Sequence, residues 1–95
     1  ELNGKQRNRK ELKKLISKLT RETNLLEETI SDQEAQIRNI DLIFSGKDFF
    51  KNADNRKIEN MQTSKIELEQ ELKLHMREWE TKTHELEEAR TEFEN

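Results

Sequence analysis

Apolar residues recur along the first half of the chain at alternating spacings of four and three positions. This heptad pattern is typical of a helix that buries one narrow stripe against a partner helix. The stripe comprises Leu12, Ile16, Leu19, Leu26, Ile30, Ile37, Ile40 and Phe44, with Thr23 and Gln33 in its gaps. The second half repeats the pattern at Ile58, Met61, Leu68, Leu72, Trp79, Leu86, Ala89 and Phe93, with Lys65, His75 and Lys82 on the same stripe. These two stripes, together called the seam, predict helices at about 8–44 and 56–93, joined by a corner at 45–55.

The corner leaves two architectures open. The heptad phase continues across it, which favours one continuous rod of about 140 Å that dimerises in parallel. Gly46 instead favours a helix stop, and Ser45 followed by Asp48 has the form of a capping box for a short helical turn. Phe49 and Phe50 lie off the seam, so a rod would expose both rings, whereas a corner can cover them.

The distribution of charge also favours a chain that folds back on itself. Residues 1–21 carry eight bases and two acids, a net +6, while residues 67–95 carry ten acids and four bases, a net −6. A hairpin brings these ends together, whereas a parallel dimer stacks like charges. We therefore predict an all-α, antiparallel two-helix coiled-coil hairpin with a short helical turn at the corner, the parallel coiled-coil dimer being the alternative. If Phe44 faces Ile58, facing residues have numbers that add to about 102.

Composition restricts the functional classes. The 95 residues are 29% hydrophobic and 41% charged, with no cysteine, which excludes disulfide scaffolds and thiol catalysis. The sequence has no phosphate-binding glycine loop, and His75 and His84 lie on opposite sides of a helix, so they cannot share a metal. We expect a single coiled-coil domain without a catalytic site, cofactor or membrane span. We also expect it to be a cytoplasmic monomer and, because it begins at Glu1 rather than Met, a piece of a longer protein.

One group of residues has functional potential. The basic cluster contains Lys5, Arg7, Arg9, Lys10, Lys13, Lys14, Lys18 and Arg21. Such a cluster can contact nucleic-acid phosphates without reading sequence, and no aromatic residue lies within it to stack on bases. The alternative interpretation is that these bases only pair with the acidic second helix of the same hairpin.

Three short stretches resemble the C-terminal coiled-coil domain of ABC-F family ATPases, soluble twin-cassette proteins that include the Uup type. They are Lys5-Gln6-Arg7 with Lys10-Glu11-Leu12, then Asp48-Phe49-Phe50, and finally Trp79-Glu80 with Glu85-Leu86-Glu87. The resemblance implies a non-catalytic appendage of an ATPase that acts on ribosomes or nucleic acid, with ATP and Mg expected only in the parent protein. By match to the basic helix start of the family, the implied phosphate contacts are Lys5, Arg7, Arg9, Lys10, Lys13 and Lys14.

A different functional class remains open from the sequence. A coiled coil of this composition also suits a structural or dimerisation segment of a filament, tether or adaptor protein. That class predicts a dimer, whereas the nucleic-acid-binding class is compatible with a monomeric hairpin.

Overall fold

The computed structural model describes residues 7–46 and 48–95, and these form a helical hairpin. Helix α1 spans Arg9–Phe44, a single turn α2 spans Phe49–Asn52, and helix α3 spans Asn55–Glu94. The long helices α1 and α3 pack against each other along their length, and the molecule measures 68 × 18 × 14 Å. The predicted hairpin is confirmed, and the continuous rod is wrong for this chain.

The seam supplies the interface between the helices. Every seam residue is buried or half-buried, whereas the positions between them are largely exposed. Burial is greatest toward the open end, where the chain termini lie, at Leu12, Leu19, Leu86 and Ala89. Burying a Leu or Ile side chain stabilises a fold by about 1.5–3 kcal/mol, so this narrow apolar stripe is the main source of stability.

One layer of the seam is polar. Gln33 is only 6% exposed, and its Nε2 donates to Glu71 Oε1 at 3.4 Å. His75 Nδ1 lies 3.0 Å from Gln33 Oε1, and because a carbonyl oxygen can only accept, the ring nitrogen is the donor. Both the nitrogen and the oxygen of the buried amide therefore have a hydrogen-bond partner, which avoids the cost of an unpaired buried polar group.

The corner differs from its predicted form in two respects. Ser45 does not form a capping box with Asp48: its hydroxyl donates back to Leu42 O at 2.8 Å, and Asp48 itself is the N-cap of α2. The capping box fails because α1 continues to Phe44, so Ser45 closes that helix instead of opening the next. The helical turn predicted at the corner does form, but its N-cap is Asp48 instead of Ser45, three residues later.

The aromatic residues of the corner form one cluster. Phe44 lies with its ring centroid 5.5 Å from that of Phe49 and 5.8 Å from that of Phe50, and the rings of Phe49 and Phe50 meet edge to face at 5.1 Å. Phe49 is half-buried, as a covering corner predicts, but Phe50 remains 54% exposed. The corner therefore covers one of its two rings and presents the other.

Polar contacts between the helices report their alignment. Lys65 pairs with Asp41 at 2.6 Å, and Lys82 pairs with Glu22 at 3.1 Å. All the cross-helix hydrogen bonds and ion pairs in the described part of the chain join residues whose numbers add to between 99 and 108, around the expected 102. Neither long helix contains a stretch apolar enough to cross a bilayer.

Candidate nucleic-acid interface

The N-terminal part of the basic cluster closes the open end of the hairpin. Lys5 lies outside the described residues, and Arg7 forms a two-point contact with the carboxylate of Glu92, with Nη2 at 2.9 Å and Nε at 3.3 Å. The hydrogen bond from Arg7 lowers the pKa of the Glu92 carboxyl, and the same bond raises the pKa of Arg7. Arg7 is thus held by an acid of the same chain.

Arg9 is held at the same end by a different group. Its guanidinium carbon lies 3.9 Å from the centre of the Phe93 ring, and its Nη1 donates to Phe93 O at 2.7 Å. This combines a cation–π contact with a bond to one of the last carbonyls of α3, which a helix leaves without a partner. Arg7 therefore pairs with an acid of α3, whereas Arg9 contacts α3 through a ring and a backbone carbonyl and not through an acid.

The remaining predicted phosphate contacts are arranged differently. Lys10, Lys13 and Lys14 are all exposed, and none forms an ion pair within the described residues. At 3.6 residues per turn, Lys10 and Lys14 lie on the side of α1 opposite Leu12, and Lys13 lies beside them. Lys10 and Lys14 point away from α3, because the seam on the other side of α1 faces that helix, and Lys13 lies at the flank.

Two further members of the basic cluster extend this surface, although the family resemblance does not imply them as phosphate contacts. Lys18 and Arg21 are exposed on the same outer side, one and two turns beyond Lys14. Their spacing from Lys14 by four and seven positions was the available signal. We call the five bases together the outward stripe: Lys10, Lys13, Lys14, Lys18 and Arg21.

Acidic residues of this stretch are bonded elsewhere. Glu11 accepts a bond from Asn8 Nδ2 at 2.6 Å, while Asn8 Oδ1 caps α1 by accepting from the Glu11 N–H at 2.8 Å. Glu22 pairs with Lys82, and the hydrogen bond that Lys82 donates to the Glu22 carboxylate raises the pKa of Lys82. The outward stripe therefore presents a run of positive charge about 16 Å long, at 1.5 Å per residue, without an acid on it.

Other titratable groups do not converge. Within residues 7–46 and 48–95, no three His, Asp or Glu side chains come together as a metal site requires. His75 bonds to Gln33, and His84 lies 3.7 Å from Glu88 on the other side of α3. The indole of Trp79 donates to Glu27 at 3.0 Å, one turn beyond its expected neighbour Thr23.

Comparison of the chain with protein-family models, with curated proteins and with solved structures gives no match. The residues and their geometry are thus what bears on function.

Proposed function

We propose that this hairpin is a nucleic-acid-binding appendage that contacts phosphates through the outward stripe of α1. The observation that carries the proposal is a set of five exposed bases, without ion pairs in the described part of the chain, on one side of a helix whose other side is committed to α3. The parent protein in this proposal is a soluble ABC-F type ATPase of the Uup kind, and the appendage has no catalytic role in it.

The geometry of the outward stripe suits contacts with nucleic-acid phosphates more than contacts with nucleobases. Five ammonium and guanidinium groups along about 16 Å match a backbone whose phosphates repeat about every 3.4 Å on each strand. Contacts of this kind position a protein on ribosomal RNA or DNA without selecting a sequence. The net charge of −3 for the whole chain limits affinity, because the acidic outer surface of α3 repels the same ligand.

Charge reversal tests the proposal. The triple variant Lys10→Glu, Lys13→Glu, Lys14→Glu removes three phosphate contacts, so we expect weaker duplex binding at low salt and a salt dependence of log K less steep by about 2.7, at 0.9 per contact. The measurement is fluorescence anisotropy of a labelled DNA or RNA duplex over a salt series. The matched control is Lys73→Glu, Arg77→Glu, Arg90→Glu, which changes net charge equally on α3.

Two results would contradict phosphate binding by the stripe. One is an equal loss of affinity in the α1 triple variant and in the α3 control, because an equal loss would show that binding depends only on the net charge of the chain. The other is an unaltered affinity in the α1 variant whose helical circular dichroism matches that of the original chain.

A second candidate function, that of an interaction module in a tether or adaptor, is favoured by a separate observation. Leu25, Ile66 and Leu74 are 59%, 55% and 62% exposed and lie off the seam. Single exposed apolar residues are common on protein surfaces, so this candidate ranks below the first.

A further inference from the structure

Charge changes sign along the outer side of α1. Lys10, Lys14 and Arg21 of the outward stripe lie within about 20° of one line along the helix, counted at about 100° per residue. Glu28 and Asp32 continue the same line toward the corner, and the step from Arg21 to Glu28 is about 10 Å. Because α1 is one unbroken helix, the bases and the acids are held at a fixed spacing.

The two acids on this line, called the acid pair, are not neutralised by the hairpin. Glu28 and Asp32 are both exposed, and neither forms an ion pair in the part of the chain that the structure describes. The neighbouring Glu27 differs, because it accepts a bond from the indole of Trp79. Like charges one helical turn apart repel each other, so the stability of α1 does not require the pair. The acid pair therefore presents negative charge to any ligand that follows the outward stripe.

We infer that the acid pair ends the nucleic-acid interface at about residue 24, so that a bound duplex crosses α1 at the open end instead of following it toward the corner. The Debye length is about 10 Å at 0.1 M salt, so the field of Glu28 reaches a phosphate bound at Arg21. Phosphates placed farther along α1 are repelled. The inference rests on the proposed function and adds to it the direction in which the duplex leaves the hairpin.

The outward stripe is long enough for a crossing arrangement. At about 16 Å it exceeds the width of the major groove of B-DNA, about 12 Å, so bases at its two ends can contact phosphates of both strands. The corner then stands clear of the duplex, about 30 Å beyond the end of the interface. Asn39 lies on the same line of α1 as Arg21 and is exposed, but it is on the corner side of the acid pair.

Reversing the acid pair tests the boundary. We expect Glu28→Lys with Asp32→Lys to let the duplex gain two phosphate contacts, so that the salt dependence of log K becomes steeper by about 1.8, at 0.9 per contact. The loss of affinity between about 50 and 200 mM salt then grows about twelve-fold. The measurement is fluorescence anisotropy of a labelled blunt duplex of about 20 base pairs, which at about 3.4 Å per pair is longer than α1.

The matched control changes the net charge by the same amount on the other helix. Glu67→Lys with Glu69→Lys replaces two exposed acids of α3, and its salt dependence should remain that of the original chain. All four substitutions are at exposed positions, and helical circular dichroism checks that both double variants keep the fold.

A dye on α1 measures where the bound duplex ends. The chain has no cysteine, so Asn24→Cys and Asn39→Cys each provide a single attachment point for an environment-sensitive dye. Both positions are exposed, and they lie about 22 Å apart along the helix. We expect saturating duplex to change the emission of the dye at position 24 and to leave that at position 39 unchanged.

The outcomes separate this inference from the proposed function. If charge reversal at Lys10, Lys13 and Lys14 weakens duplex binding but reversal of the acid pair leaves the salt dependence unaltered, the boundary is wrong and the outward stripe stands. The boundary is also wrong if the α1 and α3 reversals steepen the salt dependence equally, or if the dye at position 39 responds to duplex. If the original chain binds no duplex, both the boundary and the proposed function are wrong.

Discussion

Arg7 and Glu92 join the two ends of the chain across 85 residues of sequence. The contact is partly exposed, so solvent screens it and its effect on global stability is small. Its effect on protonation is clear in sign: the bound form of Glu92 is the anion, and its pKa is lowered on folding. The stabilisation that this contact gives is present above the ordinary pKa of glutamate and is lost as the pH falls through the lowered value.

A titration of Glu92 checks this contact at the level of one residue. We expect the side-chain carboxyl resonance of Glu92 to titrate below the ordinary glutamate pKa in the original chain, and to return toward that value in Arg7→Gln. Arg9→Gln is the matched control, since Arg9 contacts the ring and carbonyl of Phe93 instead. The measurement is carbon-detected NMR over an acid pH series, and equal midpoints in the original chain and in Arg7→Gln would show that the contact is absent in solution.

At the scale of the helices, capping residues decide where each element begins. Asn8 and Asp54 both have extended backbone and both accept from the N–H three residues later, so α1 begins at Arg9 and α3 at Asn55. Asp48 stands before α2 but makes no such bond. Two aspartates six residues apart in one corner therefore have different structural roles.

Because Asp54 caps a helix with its side chain and Asp48 does not, we expect their substitution to lower the free energy of unfolding by different amounts. Asp54→Ala removes the cap of a 40-residue helix and should lower the free energy of unfolding by about 1 kcal/mol, within the 0.5–2 kcal/mol range of N-cap replacements. Asp48→Ala removes no side-chain cap and should change it by less than about 0.5 kcal/mol. Urea unfolding followed by circular dichroism measures both, and equal losses in the two variants would contradict this assignment of the caps.

The sequence predicted the elements better than it predicted the side chains at their ends. The expected helices, at about 8–44 and 56–93, agree with Arg9–Phe44 and Asn55–Glu94 to within one residue at every end. The agreement is this close because the heptad pattern and the capping residues both act locally. The exposure of Phe50 and the particular partners of Arg7 and Arg9 on α3 were not predictable in this way. Both depend on which residues of distant segments meet, which requires the alignment of the helices and the path of the corner.

The whole molecule is far from globular in shape. Its radius of gyration is 20.6 Å, whereas a globular domain of this length has about 12 Å. A long hairpin has much surface for its volume, which suits a chain in which 41% of the residues are charged. It also leaves the outward stripe and the corner far apart, at about 35 Å from Arg21 to the end of α1.

Scattering in solution tests the hairpin as a whole. We expect small-angle X-ray scattering with in-line molar mass to give one chain of 11.5 kDa, a radius of gyration slightly above 20.6 Å and a longest dimension of about 70 Å. A mass twice this value with the same length would favour the interaction module over the nucleic-acid appendage. A length near 140 Å would contradict the hairpin itself.

The layer formed by Gln33, His75 and Glu71 also determines how many ways the two helices can pair. Successive apolar layers of a heptad pattern resemble one another, so a slip of seven residues costs an apolar seam little beyond its last layer. Here a slip would place Gln33 opposite Leu68 in one direction or Lys82 in the other. Either slip removes the His75 ring from the buried amide, and the slip to Leu68 leaves the amide oxygen without a donor, at a cost of about 1–3 kcal/mol. One polar layer thus selects a single alignment out of several that the apolar residues alone would allow.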